Sequence, residues 1–546
     1  MKKLFSVLGC FLLAATVLTG CGGGGDDKET KAKTELNVAI GGDAEFLDPA
    51  VVDDSITANI LNQMYDGLYT LDQEGNAVPD LAEAEPEISE DGLTYTIKLK
   101  EGIKWSDGEE LKASDFIYAW KRAVAIGAAE AYYSTFISDN VANAEDGKAV
   151  ADEDFGAKAI DDYTIEITLK KKTPYFTALM TNTVFYPVRE DFIKDGKFDE
   201  LESKWADEAK FPTNGAFYAS KINSKSKVTL SKNKEYYEAD DVKLKKINFI
   251  VMADTDAQTN GFKSGEIDFA TQVNNETVQA DADLGEKVYL IDPYVINYFV
   301  LFNAGEENTV PELKDPEIRL AISQAIDREE VLDVFGYGDY SYELKGLVPK
   351  GIPGVDGDFR EEADKEEEYS GSDLENAKKI MEKKGFNKDN RLKLSYKYND
   401  LPQHKDVAQA LQASLKDAYI DLELIGSEKE VFFTERDKGD FELARHAMSA
   451  DFIDPMAYLD MYNGFTKAGN TVDDAEYEKL LAEANAEDDA DKRLEKLHAA
   501  EKYLVKDMNY VVPLLGYSDP ILKASNLEGV FSSPEGHYNL TRAEFK

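Results

Sequence analysis

The chain has 546 residues, too many for one hydrophobic core and enough for two to four domains. Its 43% hydrophobic content suits a globular protein, but 62 Lys plus Arg against 107 Asp plus Glu leave a net charge of −45. Such a surface is strongly solvated, and it excludes a nucleic-acid binder, which needs basic patches to displace counterions.

The chain begins "MKKLFSVLGCFLLAATVLTGC", with Lys2 and Lys3 ahead of an apolar run from Leu4 to Leu18. The run is short for a membrane span and small residues follow it, which predicts a signal peptide over 1–20. Its end, Leu18-Thr19-Gly20-Cys21, resembles the bacterial lipobox, in which the cysteine becomes the lipidated first residue of the mature protein. The competing reading is an ordinary secretory cleavage site beside a chance cysteine. Residues 21–32, glycine-rich and then of mixed charge, read as a flexible hydrated tether. The other cysteine, Cys10, lies inside the signal peptide, so the mature chain forms no internal disulfide. No later window approaches a membrane span. The expected protein is exported, anchored by lipid and otherwise soluble.

Next, "ELNVAIGGDAEFLDPA" reads as a strand with a Gly-rich exit, and "SITANILNQMYDGLYTLD" as a helix and a turn. In "GLTYTIKLKEGIKWSDG", Tyr95, Ile97 and Leu99 alternate like a half-buried hairpin, and "DDYTIEITLKKKTPYF" repeats the pattern. Between them "ASDFIYAWKRAV" predicts a helix with Ser114 as N-cap. "FPTNGAFYASKIN" and "KVTLSKNKEYY" predict antiparallel strands, and "TDAQTNGFKSGEIDFA" a helix ended near Gly265 and then a strand.

After residue 300 the rhythm becomes helix then strand. "DPEIRLAISQAIDREEVLDVF" reads as one amphipathic helix with Pro316 in its first turn, and "SDLENAKKIMEKKG" carries a capping box from Ser372 to Glu375. "LKLSYKYN", "HKDVAQALQASLKDA" and "IDLELIGS" continue as strand, helix and strand. This βαβ rhythm predicts a mostly parallel sheet with its ligand edge at the strands' carboxyl ends.

Catalytic motifs are missing from the sequence. It contains no phosphate loop, nucleophile elbow, H-E-x-x-H or calcium loop. His404, His446, His498 and His537 are scattered, none at metal-ligand spacing, and His498 reads as a solvated helix position. The expectation is a non-enzyme without cofactor or metal. One stretch does pose a chemical question. In "DFELARHAMSADFIDPMAYLDMYNG" Arg445, His446 and Asp451 lie on or beside a strand heading into a core, and buried charges require partners.

Several segments resemble the solute-binding proteins of ABC importers, family 5. They are "GDAEFLDPA", "DGLTYTIKLKEGIKWSDG", "TNGAFYASKIN", "FKSGEIDFA" and "DPEIRLAISQAIDREEV", in the family's order and across nearly the whole mature chain. The likeness is greatest to the oligopeptide-binding lipoproteins. It implies an α/β, two-lobed periplasmic-binding-protein-like fold of type II, in the large three-domain class, with a hinge between the lobes. Lobe I would comprise 33–56, 185–296 and 519–546, with a subdomain inserted at 57–184, and lobe II would be 297–518. The chain would cross near "YVINYFVLFN" and return near "VVPLLGYSDP".

The resemblance also implies a ligand: a short peptide held between the lobes, its backbone paired like an added strand. "SADFIDP" places the aspartate that holds the peptide's ammonium at Asp451. Arg445 matches a residue reaching the peptide's carboxylate, Arg436 in "FFTERDKGDFELAR" a second such arginine, and His404 in "YNDLPQHKD" a histidine serving another peptide length. Backbone groups of Ala447 and Ser449 would pair with the ligand, and Tyr132 or Tyr133 in "AEAYYSTF" would touch its first residue. Elementary electrostatics agrees, because a zwitterion sealed in a dry cleft needs an opposite charge at each end. The competing reading pairs Asp451 with Arg445 inside one lobe. The family's pocket tryptophans are replaced here by Lys429 and Met448, so its side-chain preferences do not transfer.

The function so implied is a monomeric receptor on the extracytoplasmic face of a bacterial cell membrane, anchored in the bilayer through Cys21. It would deliver peptides to the permease subunits of an ABC transporter. Within the same fold the ligand could instead be one signalling peptide, a dipeptide, a cell-wall peptide or a metal chelate. From a different class, a lipid-anchored extracellular peptidase remains open.

Overall fold

The computed structural model describes residues 33–546, apart from 45, 197–198, 200, 208–210, 292–293, 306–309, 367–370, 462–471 and 473. The signal peptide and Cys21 lie outside the described residues. Among those described, two large sheets organise the molecule.

The first has seven strands, in the spatial order Val288–Tyr289, Ile521–Lys523, Phe269–Ala270, Glu35–Ile40, Lys246–Val251, Lys227–Lys232 and Phe217–Lys221. Glu35–Ile40 lies parallel to both of its neighbours. Its alternating Leu36, Val38 and Ile40 are buried, as a strand packed into a core requires. The two strands expected to be antiparallel, Phe217–Lys221 and Lys227–Lys232, are so. Gly265 ends the helix Thr255–Ser264 with φ 77°, a left-handed position that glycine adopts without a Cβ penalty.

A four-stranded antiparallel sheet is formed by Glu87–Ile88, Thr94–Lys98, Thr164–Thr168 and Ala157–Asp161. The helix Ala113–Ile126 adds Phe116 and Trp120 to the same core as Tyr95 and Ile97. Ser114 does not cap this helix. Lys112 takes the N-cap position, and its backbone N–H donates to Asp115 Oδ2 at 3.0 Å. Arg122, on the inward face, makes a bidentate pair with Asp48 of the Leu-Asp-Pro segment at 2.9 and 2.6 Å.

The second large sheet runs Ser341–Glu343, Val511–Tyr517, Ile296–Phe302, Leu443–Ser449, Leu392–Asn399, Ile420–Ser427. The expectation of a mostly parallel sheet is corrected here. Only Leu443–Ser449, Leu392–Asn399 and Ile420–Ser427 are parallel neighbours, and the other pairings are antiparallel. The reason is connectivity. Ile296–Phe302 and Val511–Tyr517 are the strands by which the chain arrives from the first sheet and returns to it, so no helical crossover sets their direction. They are neighbours, which places the two passages side by side.

Around this sheet, the single helix expected after Pro316 is two, Pro316–Ala325 and Arg328–Phe335, because Asp327 starts a new N-cap by accepting from Glu330 N–H at 3.2 Å. Asp373, not Ser372, caps Leu374–Lys383, while the Ser372 hydroxyl donates to the Ile326 carbonyl at 2.5 Å. His498 is half-buried and not a free surface position: its ring stacks on Phe359 at 3.8 Å and its Nε2 lies 3.2 Å from Glu362. No helix among the described residues is long and apolar enough to cross a membrane.

Candidate functional site

The strand Leu443–Ser449 carries the charges that posed the opening difficulty. It pairs along its whole length with Ile296–Phe302, from Leu443↔Phe302 to Ser449↔Ile296. On its other side it meets Leu392–Asn399 only at Leu443 and Ala444. From Arg445 to Ser449, therefore, one edge has no strand partner among the described residues. The Met448 N–H is taken by Asn297 Oδ1 at 2.9 Å, on the paired side. Backbone groups alternate sides along a strand, so those of Ala447 and Ser449 are directed to the open edge. The His446 ring Nδ1 lies 3.0 Å from the Ala447 carbonyl.

Period-two alternation sends Arg445 and His446 to opposite faces of the sheet. The Arg445 guanidinium lies over the Tyr298 ring at 5.4 Å, and its Nε has no hydrogen-bond partner among the described residues. His404, in the first turn of the helix Pro402–Asp417, places Nδ1 3.3 Å from the Tyr298 hydroxyl. Burial, and then the Arg445 charge, push the His404 pKa down to about 3, so this ring is neutral at physiological pH. His446 stacks on Phe299 at 5.0 Å. Burial first, then Arg436 and Arg445, hold its pKa well below the ordinary value. Arg436, near the end of the helix Lys429–Asp437, is already bonded to Asp437 at 2.9 and 2.8 Å and lies over the Phe433 ring at 4.7 Å.

Asp451 follows the strand in the turn leading to Met456–Leu459. Among the described residues it makes no ion pair with Arg445. Its partner is the Tyr133 hydroxyl, which donates to Asp451 Oδ1 at 3.0 Å from the residue just before the helix Ser134–Ser138. Burial pushes the Asp451 carboxyl up to about 6, with Tyr133 pulling it down, Glu535 raising it and His537 lowering it. Tyr132, 38% exposed, packs edge-on against Tyr133 at 5.1 Å. Burial and the Asp451 charge raise its hydroxyl's pKa. Beside them Phe452 stacks on Tyr175 at 5.1 Å.

Tyr133, Tyr298, Phe452, Glu535 and His537 were not singled out in the sequence, apart from Tyr133 as an alternative to Tyr132. The structure thus sets a carboxylate just beyond one end of a strand, an open edge along it, and Arg445 at its other end with His404 and Arg436 reaching in from two helices. Such a surface can hold a molecule with one cationic end, one anionic end and amides between. No group of His, Cys, Asp and Glu among the described residues could hold a metal ion.

The family model described as "Bacterial extracellular solute-binding proteins, family 5 Middle" matches residues 76–470. Over 570 aligned positions the chain is 30% identical to the oligopeptide-binding protein OppA of Bacillus subtilis, with 100% of each chain covered. The structure of Listeria monocytogenes OppA bound to peptide is similar with a TM-score of 0.71 at 25% identity, covering 94% of this chain and 99% of that one. The unliganded open form of the periplasmic murein tripeptide-binding protein MppA shares the fold with a TM-score of 0.76 at 24% identity, covering 94% and 97%.

Proposed function

The chain belongs to the bacterial extracellular solute-binding proteins of family 5, and on that premise we propose that it captures short peptides in the cleft and delivers them to an ABC transporter for import. Members of such a family are transport receptors, not enzymes. The observation that carries the peptide reading is the open edge from Arg445 to Ser449, flanked by Asp451 at one end and Arg445 at the other. An extended peptide adds to such an edge through main-chain hydrogen bonds. Its ammonium goes to Asp451 and its carboxylate to Arg445, with Arg436 or His404 serving other lengths.

Closure seals both ends from water, and each buried charge then meets its opposite, which offsets the desolvation. The hinge in this reading is the pair of passages between Tyr289 and Ile296 and between Tyr517 and Ile521, joining a lobe of 33–56, 185–296 and 519–546 to a lobe of 297–518, with 57–184 as the inserted subdomain. Lipidation at Cys21 keeps the receptor on the outer face of the membrane, beside its permease.

The test is native mass spectrometry of protein purified from producing cells, followed by calorimetry with synthetic peptides. Bound masses matching short peptides, and free peptides binding far better than N-acetylated ones, are the expected result. A metal chelate in the cleft, or cleavage of the added peptides, overturns it.

A further inference from the structure

A cavity of about 490 Å³ lies between the first large sheet and the helices of the second, within the ~300–1,000 Å³ usual for ligand sites. Ile40 and Val273, at and just past strand ends of the first sheet, form one side with Ile56 of the helix Ser55–Leu61. Tyr337 and Leu401 form the other, at the ends of the helices Arg328–Phe335 and Pro402–Asp417, and Tyr294 comes from the passage between the sheets. The cavity adjoins the Arg445 end of the binding strand. Leu401 stands one helical turn ahead of His404. Tyr337 packs on Phe335 at 4.7 Å, and Phe335 on Tyr298 at 5.6 Å, the ring that Arg445 and His404 both meet.

Two features of the wall point to a ligand. Leu401 is 50% exposed and holds the N-cap position of its helix without a side-chain bond to it. Leucine is among the poorest N-caps, where serine, threonine, asparagine or aspartate would stabilise the helix. The fold thus gains from Leu401 neither a cap nor a buried side chain, and local rules are broken in this way at functional sites. The second feature is that two aromatic rings are fixed on the wall. Tyr337 donates its hydroxyl to Asp519 Oδ1 at 3.0 Å. Tyr294 lies against Gly536, whose φ is 86° and where a Cβ would meet the ring at 2.5 Å. Asp519 is the only charged residue on the wall among the described residues, and its Oδ1 is already bonded. A charged side chain entering here finds little to replace its water, whereas an apolar one meets apolar walls.

We propose that this cavity receives one large aromatic side chain of the bound peptide, from the half nearer its carboxylate. The proposal rests on the peptide-receptor reading and adds a side-chain preference to it. An extended peptide sends alternate side chains to opposite faces, so a residue directed at the cavity is flanked by residues that are not. Size favours a ring over a short aliphatic chain. Phe, Tyr and Trp bury ~150–250 Å² each, and a part-filled cavity forfeits contacts along its wall. Tyr294 and Tyr337 offer rings for offset or edge-on packing.

The experiment is calorimetry on the mature protein with an alanine peptide carrying phenylalanine, leucine or lysine at each position in turn. One position in the carboxyl half should prefer phenylalanine to alanine by at least ~10-fold, with leucine between them and lysine no better than alanine. Leu401→Ser strips one side of the cavity and Val273→Trp fills it from the other, and each should bring the phenylalanine-to-alanine ratio toward one. Taking the ratio within each variant cancels any general loss of binding or folding. Leu401→Ser should also hold or raise the melting temperature, because serine caps the helix; a fall would assign Leu401 to the fold and overturn its role here. Equal affinities for phenylalanine and alanine throughout the carboxyl half, lysine preferred to phenylalanine there, or a phenylalanine preference untouched in either variant overturn the subsite while leaving the peptide receptor standing. Failure of every peptide to bind overturns both.

Discussion

The Tyr133 hydroxyl and the Asp451 carboxylate meet at 3.0 Å, one from the residue just before the helix Ser134–Ser138 and the other from just beyond the strand Leu443–Ser449. The aspartate therefore already has a donor before any ligand arrives, and a bond to a charged acceptor contributes more than a neutral one. An arriving ammonium adds to this arrangement without displacing an internal ion pair. Asp451→Asn keeps the size and removes the charge. It should cost ~2–5 kcal/mol of affinity for free peptides, about thirty- to several-thousand-fold at ~1.4 kcal/mol per decade. Discrimination against N-acetylated peptides should collapse with it. Calorimetry with matched free and acetylated peptides checks this, and unchanged discrimination would move the ammonium elsewhere.

The same carboxyl sets a pH dependence. Its folded-state pKa is raised from 3.8 to about 6 by burial, with Tyr133, Glu535 and His537 as the other groups acting on it. A raised acid binds its proton more tightly in the folded state. Its favourable contribution to the ligand-free protein is thus complete below pH ~4 and is lost as pH rises through about 6. Peptide binding has the opposite slope, because an ammonium requires the ionised form. Affinity for free peptides should rise from pH ~4 to ~6 and level off above, while acetylated peptides show no such rise. Tyr133→Phe removes the bond that lowers this pKa and should shift the rise to higher pH. A flat profile for free peptides would count against Asp451.

The strand Leu443–Ser449 and the turn after it were legible because alternation marks a strand and the flanking segments resemble a family. The partners were not. Arg445 meets Tyr298, which in turn meets His404; they arrive from a strand and a helix far away in sequence, and no local spacing encodes that meeting. Tyr132 and Tyr133 are adjacent aromatics, and only the fold decides which one turns toward Asp451. Glu535 comes from the loop between Ser532 and Tyr538 near the end of the chain, where the sequence has no motif. The helix starts differ for local reasons: beside Ser372, Asp373 is the N-cap and its ionised carboxylate accepts more strongly than a hydroxyl, while at Ser114 the helix starts two residues earlier and Asp115, at its third position, reaches back to the Lys112 N–H. The mixed second sheet was hidden because its antiparallel strands belong to the passages between sheets.

Lipidation has a direct genetic test. Cys21→Ala should release the protein from the membrane fraction into the medium with peptide affinity unchanged, since 21–32 carries no residue assigned to the cleft. Fractionation of cells expressing each form decides, and a variant that stays with the membrane refutes the anchor at Cys21.

Stability of the fold should depend strongly on one buried pair. Arg360 and Glu501 meet at 2.9 Å with side chains 1% and 0% exposed, and Glu501 Oε1 also accepts from Val348 N–H at 2.8 Å. Glu501→Ala leaves the buried guanidinium with Asp364, 2.9 Å from its Nε and 35% exposed, and strands the Val348 N–H; it should cost ~3 kcal/mol. Asp507→Ala, which breaks the half-exposed pair with Lys502, should cost no more than ~1 kcal/mol. Chemical denaturation of both variants separates the cases, and similar midpoints would refute the ranking.

The two arginines should differ in the same manner at the ligand's other end. Arg436 is already neutralised by Asp437, whereas Arg445 makes no ion pair among the described residues and rests on an aromatic face. A peptide carboxylate reaching Arg445 thus supplies a missing counter-charge, while one reaching Arg436 must share it with Asp437. Arg445→Met keeps much of the stem that packs on Tyr298 and removes the charge. For the best-bound peptide length it should weaken free acids by ~2–5 kcal/mol and erase their advantage over C-terminal amides. Arg436→Met should leave most of that advantage in place. Ligand-free stability supplies a second readout, since replacing an unpaired buried cation by a well-packed apolar side chain is neutral or stabilising. The melting temperature of Arg445→Met should therefore hold or rise, and His404, freed from a neighbouring positive charge, should titrate at a higher pH than about 3. A fall in melting temperature together with an intact preference for free acids would mean that Arg445 serves the fold, and that the carboxylate is met by another group.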